Sequence, residues 1–404
     1  MGKVELFKPP REVRVNTKYF YSFYNTFLDK LKEFLPGVPR WITSEHFFPD
    51  GTPNLQIIPY LGTTKDIDRL SLPYETVFIP FWYLPSNPDS GQEIEKIGNA
   101  ITHVQSERTI PLAIKRIGVC PYAMLRKDQD SVDPTTGQRK IGEAIYSEIF
   151  SNKIDPYFTD LLLLSPHSKK AVQEIKVPYL SLTAIPLFVD WFKKKYPTEE
   201  DRKKVKIAAL DEGGLQGVLK FVELAGLDSK TQIIVFDKKR NEEKLVNGGR
   251  LRYGNPKDSD VIVLDDVVDT SKSADKTFKL LKKGGAKNIT LMVTHGVLSF
   301  PAGDILKSAI DKEIINNIVL TNSLPQAQYG LEELGKYIEI IDIAPLMAGM
   351  ARFVSAYSIK EIKKSLTKKN YPLSNLSPYI MEPRDKQEVW QEFINKVKTL
   401  SKSK

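Results

Sequence analysis

Residues Val261–Ser273 read VIVLDDVVDTSKS: four aliphatic residues, carboxylates at Asp265, Asp266 and Asp269, then Thr270, Ser271, Lys272 and Ser273. An unbroken apolar run of this kind suits a strand buried on both faces of a parallel sheet. From Ser271 the chain continues SKSADKTFKLLKKGGAKN, where Ala274, Phe278 and Leu281 share a helical face and Gly284-Gly285 supplies a stop. The pattern predicts a sharp turn at the carboxyl end of a strand, with acids and hydroxyls presented beside a helix N-terminus. Backbone N–H groups and the positive end of a helix dipole suit a phosphate there. The carboxylates suit a sugar hydroxyl or a hydrated Mg²⁺. Taken alone, the stretch has two readings: a phosphosugar site, or an acidic surface turn after a core strand.

The flanking sequence repeats the same rhythm. VKIAALDEGG predicts a strand ending at Asp211 and Glu212, followed by a helix from Gly213 to Ala225. TQIIVFDKKR predicts a strand ending at Lys238, Lys239 and Arg240, and the long polar stretch NEEKLVNGGRLRYGNPKDSD after it suits a functional segment or a small hairpin. NITLMVTHGVLS, NNIVLTNSLP and IEIIDIAPLMAGM complete this half. Earlier in the chain, LAIKRIGVCPY leads into Arg126, Lys127 and Asp128, a polar loop opens a helix from Ile141 to Asn152, and DLLLLSPH ends at His167. Before these come an aromatic-rich helix from Tyr19 to Phe34, a hairpin in HFFPDGTPNLQIIPYL turning at Pro-Asp-Gly, a strand in ETVFIPFWYLP and a helix from about Glu93 to Gln105. Alternating strands and helices in both halves predict an α/β protein of two tandem domains. Each has a mostly parallel sheet flanked by helices. The expected boundaries are 1–182 and 183–366, followed by a basic helical extension, 367–404.

Composition narrows the class. The 404 residues suffice for two domains, and 41% hydrophobic with 27% charged is globular. There is no run of eighteen uncharged apolar residues, so no membrane partner is expected. MGKVELFKPPREV has no hydrophobic signal core and a cytoplasmic location is expected. The lone Cys120 rules out an internal disulfide and any multi-cysteine metal site, and in IGVCPY it suits a small core residue. The net charge of +9 comes from lysines spread over the helices and gathered in the tail. No nucleic-acid motif accompanies them, so no nucleic-acid partner is expected.

Ligands of open parallel sheets bind beyond the carboxyl ends of the strands. Those ends here bear Arg126 and Asp128, His167, Asp211, Lys238 and Arg240, the three aspartates, and His295. Each has a plain alternative: His295 and His167 suit satisfied strand-end histidines, and Lys238-Lys239-Arg240 suits a solvated turn. Together they carry a resemblance. From about His46 to Ser358 the chain resembles the ribose-phosphate pyrophosphokinases (phosphoribosyl pyrophosphate synthetases), which belong to the type I phosphoribosyltransferase fold group. The motifs are FPDG at Phe48 to Gly51, LRKD ending at Asp128, the His167 strand end, LTAIPL, DEGG at Asp211 to Gly214, DKKR at Asp237 to Arg240, VIVLDDVVDT, THGVLS and VLTNSLP.

The resemblance implies two phosphoribosyltransferase-like domains and transfer of the β,γ-diphosphate of Mg-ATP to the anomeric hydroxyl of ribose 5-phosphate, releasing AMP. It implies that Phe48 stacks on adenine and Asp50 accepts from its amino group. Arg126, Lys127 and Asp128 would belong to the ATP side, with His167 and Asp211 contacting its Mg²⁺. Lys238 and Arg240 would neutralise charge on the transferred group. Asp265 and Asp266 would hold the ribose hydroxyls, directly or through a second Mg²⁺, and Asp269, Thr270, Ser271, Lys272 and Ser273 would cradle the 5-phosphate. It also implies a homo-oligomer, dimer or hexamer, because a neighbour completes the nucleotide site.

Four departures stand out. The family's phosphate loop carries two glycines and a threonine where this chain has Ser271-Lys272-Ser273, so an altered cradle is expected. Ser165 replaces an aspartate before His167, Thr52 replaces an acid after FPDG, and extra sequence lies in the amino-terminal half (around Tyr19 to Pro39 and Phe81 to Thr109) and over about forty residues at the carboxyl end. An acceptor with a larger 5-substituent, such as ADP-ribose, is therefore one alternative. A phosphoribosyltransferase and a catalytically silent regulatory homologue are the others.

Overall fold

The computed structural model of the chain describes residues 30, 42–47, 53–57, 76–83, 115–123, 143–210, 212–237, 250–324, 332–366 and 374–402. Among them three sheets form. Strands β1 (Ile42–Phe47) and β2 (Pro53–Ile57) make the expected antiparallel hairpin, in which Phe47 pairs with Pro53. Strands β3 (Thr76–Tyr83), β4 (Lys115–Ala123), β5 (Asp160–Leu164) and β6 (Tyr179–Leu182) lie side by side, all parallel. The third sheet has the spatial order β13 (Ile338–Ile341), β12 (Asn317–Thr321), β11 (Ile289–Gly296), β10 (Asp260–Val268), β7 (Val205–Ala209), β8 (Ile233–Asp237) and β9 (Arg250–Tyr253). Only β9 runs antiparallel, as the return arm of a hairpin with β8.

The reason is visible in the burial. Every residue of β11 and of β5 is buried, as expected of strands covered on both faces. The helix Lys272–Lys283 sets Ala274, Phe278 and Leu281 against one face of the large sheet. It stops at Gly284, and Gly285 follows with φ +89°, a left-handed conformation natural to glycine. On the other face a single core joins both sheets: Leu162, Leu180 and Leu182 of the small sheet share it with Ile207 and Leu264 of the large one. The helix Ala344–Ala356 lies in this shared core, and Lys115 at the start of β4 donates to the carbonyls of Val354 and Tyr357 near its end.

The basic C-terminal stretch is helical at Lys386–Lys402 but is not a loose appendage. Met381 N donates to Ser181 O at 3.0 Å and Thr183 N to Tyr379 O at 2.9 Å, extending the β6 edge of the small sheet. Val389 and Phe393 are buried in the shared core. The periodicity marked a helix, while its docking depends on partners almost two hundred residues away. Among the described residues no helix is long and apolar enough to cross a membrane.

Candidate active site

Asp265 and Asp266 sit on β10 itself, because the strand runs four residues further than its hydrophobic run suggests, while Asp269 lies just past its end. Pairing to β11 continues to its end, through Val267 with His295 and Val268 with Gly296. Pairing to β7 ends earlier, at Leu264 with Ala209. From Asp265 onward, then, β10 is supported on one side and open on the other, and the sharp turn comes after Val268 rather than after Leu264. The open side faces a short 3-10 turn, Glu212–Gly214, that follows β7. A Cβ built on Gly214 would stand 3.6 Å from both Asp265 Oδ1 and the Leu264 carbonyl. The DEGG and DDVVDT motifs are thus in van der Waals range.

The small sheet supplies the opposing wall. His167, three residues past β5, contacts Asp266 at 2.7 Å between Nδ1 and Oδ2. Their side chains are 38% and 27% exposed, so the pair lies in a wet cleft between the strand ends of the two sheets. Burial would by itself raise the Asp266 carboxyl. The charge and hydrogen bond of His167, with smaller help from Asp265 and His295, outweigh it and hold the group at about 2. Asp266 N also donates to Asp265 Oδ1 at 3.0 Å, aligning the two carboxylates.

His295 is the mortar between the sheets rather than part of this wet cleft. It is 3% exposed, with Nε2 3.1 Å from the Leu164 carbonyl, Nδ1 2.9 Å from Ser323 Oγ and its ring 4.8 Å from that of Tyr122. The carbonyl requires a donor, which assigns the proton of the neutral ring to Nε2. Burial pushes the imidazole down to about 4, against the opposing pull of Asp266 and the backbone acceptors. Between about 4 and the ordinary 6.5 the unfolded chain therefore binds a proton that the folded chain does not. Stability should fall by up to ~3 kcal/mol as pH drops through that window. Urea midpoints at pH 7 and pH 4.5 check this: His295→Asn should flatten the loss relative to the parent protein, and an unchanged slope would assign it elsewhere.

The phosphate loop retains a glycine-like turn without glycine. Ser271 has φ +59° and ψ 1°, at a cost of roughly 1–2 kcal/mol for a residue with a Cβ. The cradle expected to change with the missing glycines thus keeps one left-handed residue, borne by serine. Ser271 is 4% exposed, and its Oγ has no hydrogen-bond partner among the described residues. No side chain caps the helix Lys272–Lys283, so its first N–H groups face outward. Lys272 and Ser273 are exposed in that first turn, while Asp269 and Thr270 are half-buried.

The structure therefore brings together His167, Asp265, Asp266 and the Asp269–Ser273 loop. Phe48, Asp50, Arg126, Lys127, Asp128, Asp211, Lys238 and Arg240 lie outside the described residues, as do the expected helix at Glu93 to Gln105 and most of that at Tyr19 to Phe34. Among the described residues no three His, Cys, Asp or Glu side chains gather into a cation site. The two carboxylates nevertheless fit Mg²⁺ chemically: they are oxygen donors, and Asp266 is ionised throughout the physiological range.

A family model described as the phosphoribosyl synthetase-associated domain matches residues 254–361. A ribose-phosphate pyrophosphokinase of Helicobacter hepaticus is 30% identical over 196 residues, covering 48% of this chain and 56% of that protein. One of Aquifex aeolicus is 25% identical over 267 residues, covering 64% and 78%. The chain spans about half the length of several of the curated relatives it matches, at 56%, 53% and 52%. The crystal structure of phosphoribosylpyrophosphate synthetase from Mycobacterium smegmatis superposes with a TM-score of 0.58 at 19% identity, over 82% of this chain and 95% of that one. That likeness is one of fold.

Proposed function

For this divergent relative of the ribose-phosphate pyrophosphokinase family, we propose transfer of the β,γ-diphosphate of Mg-ATP to the anomeric hydroxyl of ribose 5-phosphate, with release of AMP. The observation that carries this reading is the His167–Asp266 contact, which sets the strand ends of the two sheets against each other beside an uncapped helix N-terminus. One wall suits the nucleotide and the other the sugar phosphate.

In the reaction, the anomeric hydroxyl oxygen attacks the β-phosphorus and gives up its proton to solvent, the bond from that phosphorus to the α-bridging oxygen breaks, and AMP departs with the bridging oxygen. Such a transfer needs charge neutralisation and alignment more than a strong base. Asp266 agrees with that demand. A carboxyl held at about 2 is a feeble base near neutrality but an always-ionised ligand for a cation or a pair of ribose hydroxyls. Asp265 lies beside it, and Mg²⁺ bound by these carboxylates would supply positive charge to the diphosphate. The Asp269–Ser273 loop holds the 5-phosphate through backbone N–H groups and the Lys272 ammonium. His167 would contact the Mg²⁺ carried by the nucleotide. A homo-oligomer that completes the ATP site belongs to the same reading.

Exposed Lys272 in the first helical turn also suits an acceptor with further charge on its 5-substituent, such as ADP-ribose. One assay decides between the acceptors. Purified protein with Mg-ATP should release AMP on addition of ribose 5-phosphate, one AMP per acceptor consumed. A response to ADP-ribose alone would transfer the reading to that substrate. Silence with both would refute pyrophosphate transfer.

A further inference from the structure

Arg252 on β9 makes two contacts that join remote parts of the chain. Its guanidinium pairs with the carboxylate of Glu212, the residue that opens the turn beside Asp265, and stands 3.7 Å from the ring centroid of Trp390. The next residue, Tyr253, meets Phe393 edge-on at 5.0 Å and 84°, and its hydroxyl donates to Lys230 O at 2.6 Å. Trp390 and Phe393 belong to the helix Lys386–Lys402, beyond the residues 254–361 that the family model matches. The approach to that helix is anchored on the same side. Gln216 donates to Glu382 O at 2.8 Å and accepts from Arg384 N at 3.0 Å, and Lys220 donates at 3.0 Å to the carbonyls of Ser377 and Ile380.

Two segments of the candidate site are therefore connected to this helix through one side chain. The first is the Glu212–Gly214 turn, next to Asp265. The second is the β8–β9 stem, where Asp237 pairs with Arg250 and Lys238 follows Asp237 in the chain. A partly exposed ion pair contributes little stability by itself. A planar guanidinium that stands over an indole ring while pairing with a carboxylate is an arrangement that lysine cannot reproduce. Positioning is the role that remains for such an arrangement.

We propose that the C-terminal helix is a brace for the diphosphate-transfer step, with Arg252 and Trp390 as positioning residues that hold the β8–β9 stem in register with the Glu212–Gly214 turn. The proposal rests on the reaction assigned above for its kinetic arm and stands without it for its structural one. Trp390→Leu keeps apolar contact with Phe393 and removes the stacking surface. It should lower kcat about tenfold, as small misplacements of reacting groups do, with ATP affinity unchanged. Arg252→Ala should do the same, Arg252→Lys should fail to rescue, and the double variant should be no slower than the slower single one. Hydrogen exchange gives the arm that needs no turnover: peptides covering 250–253 and 212–214 should exchange faster in Trp390→Leu. Single variants within twofold of the parent kcat, multiplicative losses in the double variant, or unchanged exchange would each overturn the brace. A parent protein that releases no AMP would overturn the assigned reaction instead, and exchange alone would then decide the brace.

Discussion

Asp266→Asn should lower AMP release from Mg-ATP and ribose 5-phosphate by about a thousandfold or more, while leaving the fold intact. Asparagine retains the shape of aspartate and an oxygen that can accept from His167, so the 2.7 Å contact survives and only the charge is lost. What disappears is the anion that the charge and hydrogen bond of His167 favour. Asp266→Ala additionally releases His167. Equal losses in the two variants would identify charge as the function, whereas a mild effect of Asn and a severe effect of Ala would assign Asp266 to holding His167. The sign of its titration adds a constraint. Its carboxyl is depressed from 3.8 to about 2, so the stabilisation it brings is complete above the unfolded value and is lost as pH falls through about 2. Turnover of Asp266→Asn within a few-fold of the parent would remove this residue from the reaction.

Lys238→Ala is the second large effect: a drop in turnover of about a hundred- to a thousandfold, with ATP binding little changed. Lys238 opens the segment between the paired strands β8 and β9, immediately after Asp237, and in the proposed reaction it would supply, with Arg240, two cations to a transfer that develops negative charge on the diphosphate. A cation that acts mainly on the transferred group should move kcat more than the binding of ATP. Equilibrium binding of ATP beside single-turnover AMP release separates these, and undiminished single-turnover rates would dismiss the role.

Much of the architecture was legible because it depends on local rules. The run Val261–Leu264 announced a buried parallel strand, the Ala274, Phe278 and Leu281 spacing announced the helix after it, and Gly284-Gly285 announced its end. The strand ends of both halves, with their acids and cations, could be aligned with a family's motifs for the same reason: chemistry confined to short segments survives in short segments. The two ambiguous histidines show where this fails. His295 and His167 both come after apolar runs in the sequence, and nothing nearby in sequence distinguishes them. One turned out to be 3% exposed and bonded to Leu164 across the sheets, the other to face Asp266 in the cleft.

By itself, then, the sequence determined the element types, the parallel strand order's building blocks and the chemical character of each strand end, since those follow from apolar spacing, glycine stops and residue type. Tertiary structure alone decided three things. β10 continues through Asp265 and Asp266 because β11 supports it beyond the end of β7, which leaves those acids on an open strand edge. Ser271 is buried in the left-handed turn that glycine would ordinarily occupy. His167 and Asp266, 99 residues apart, meet because two sheets share one hydrophobic core, and the C-terminal helix is built into that core. Contacts at such separation depend on how faces pack, and no local pattern records that.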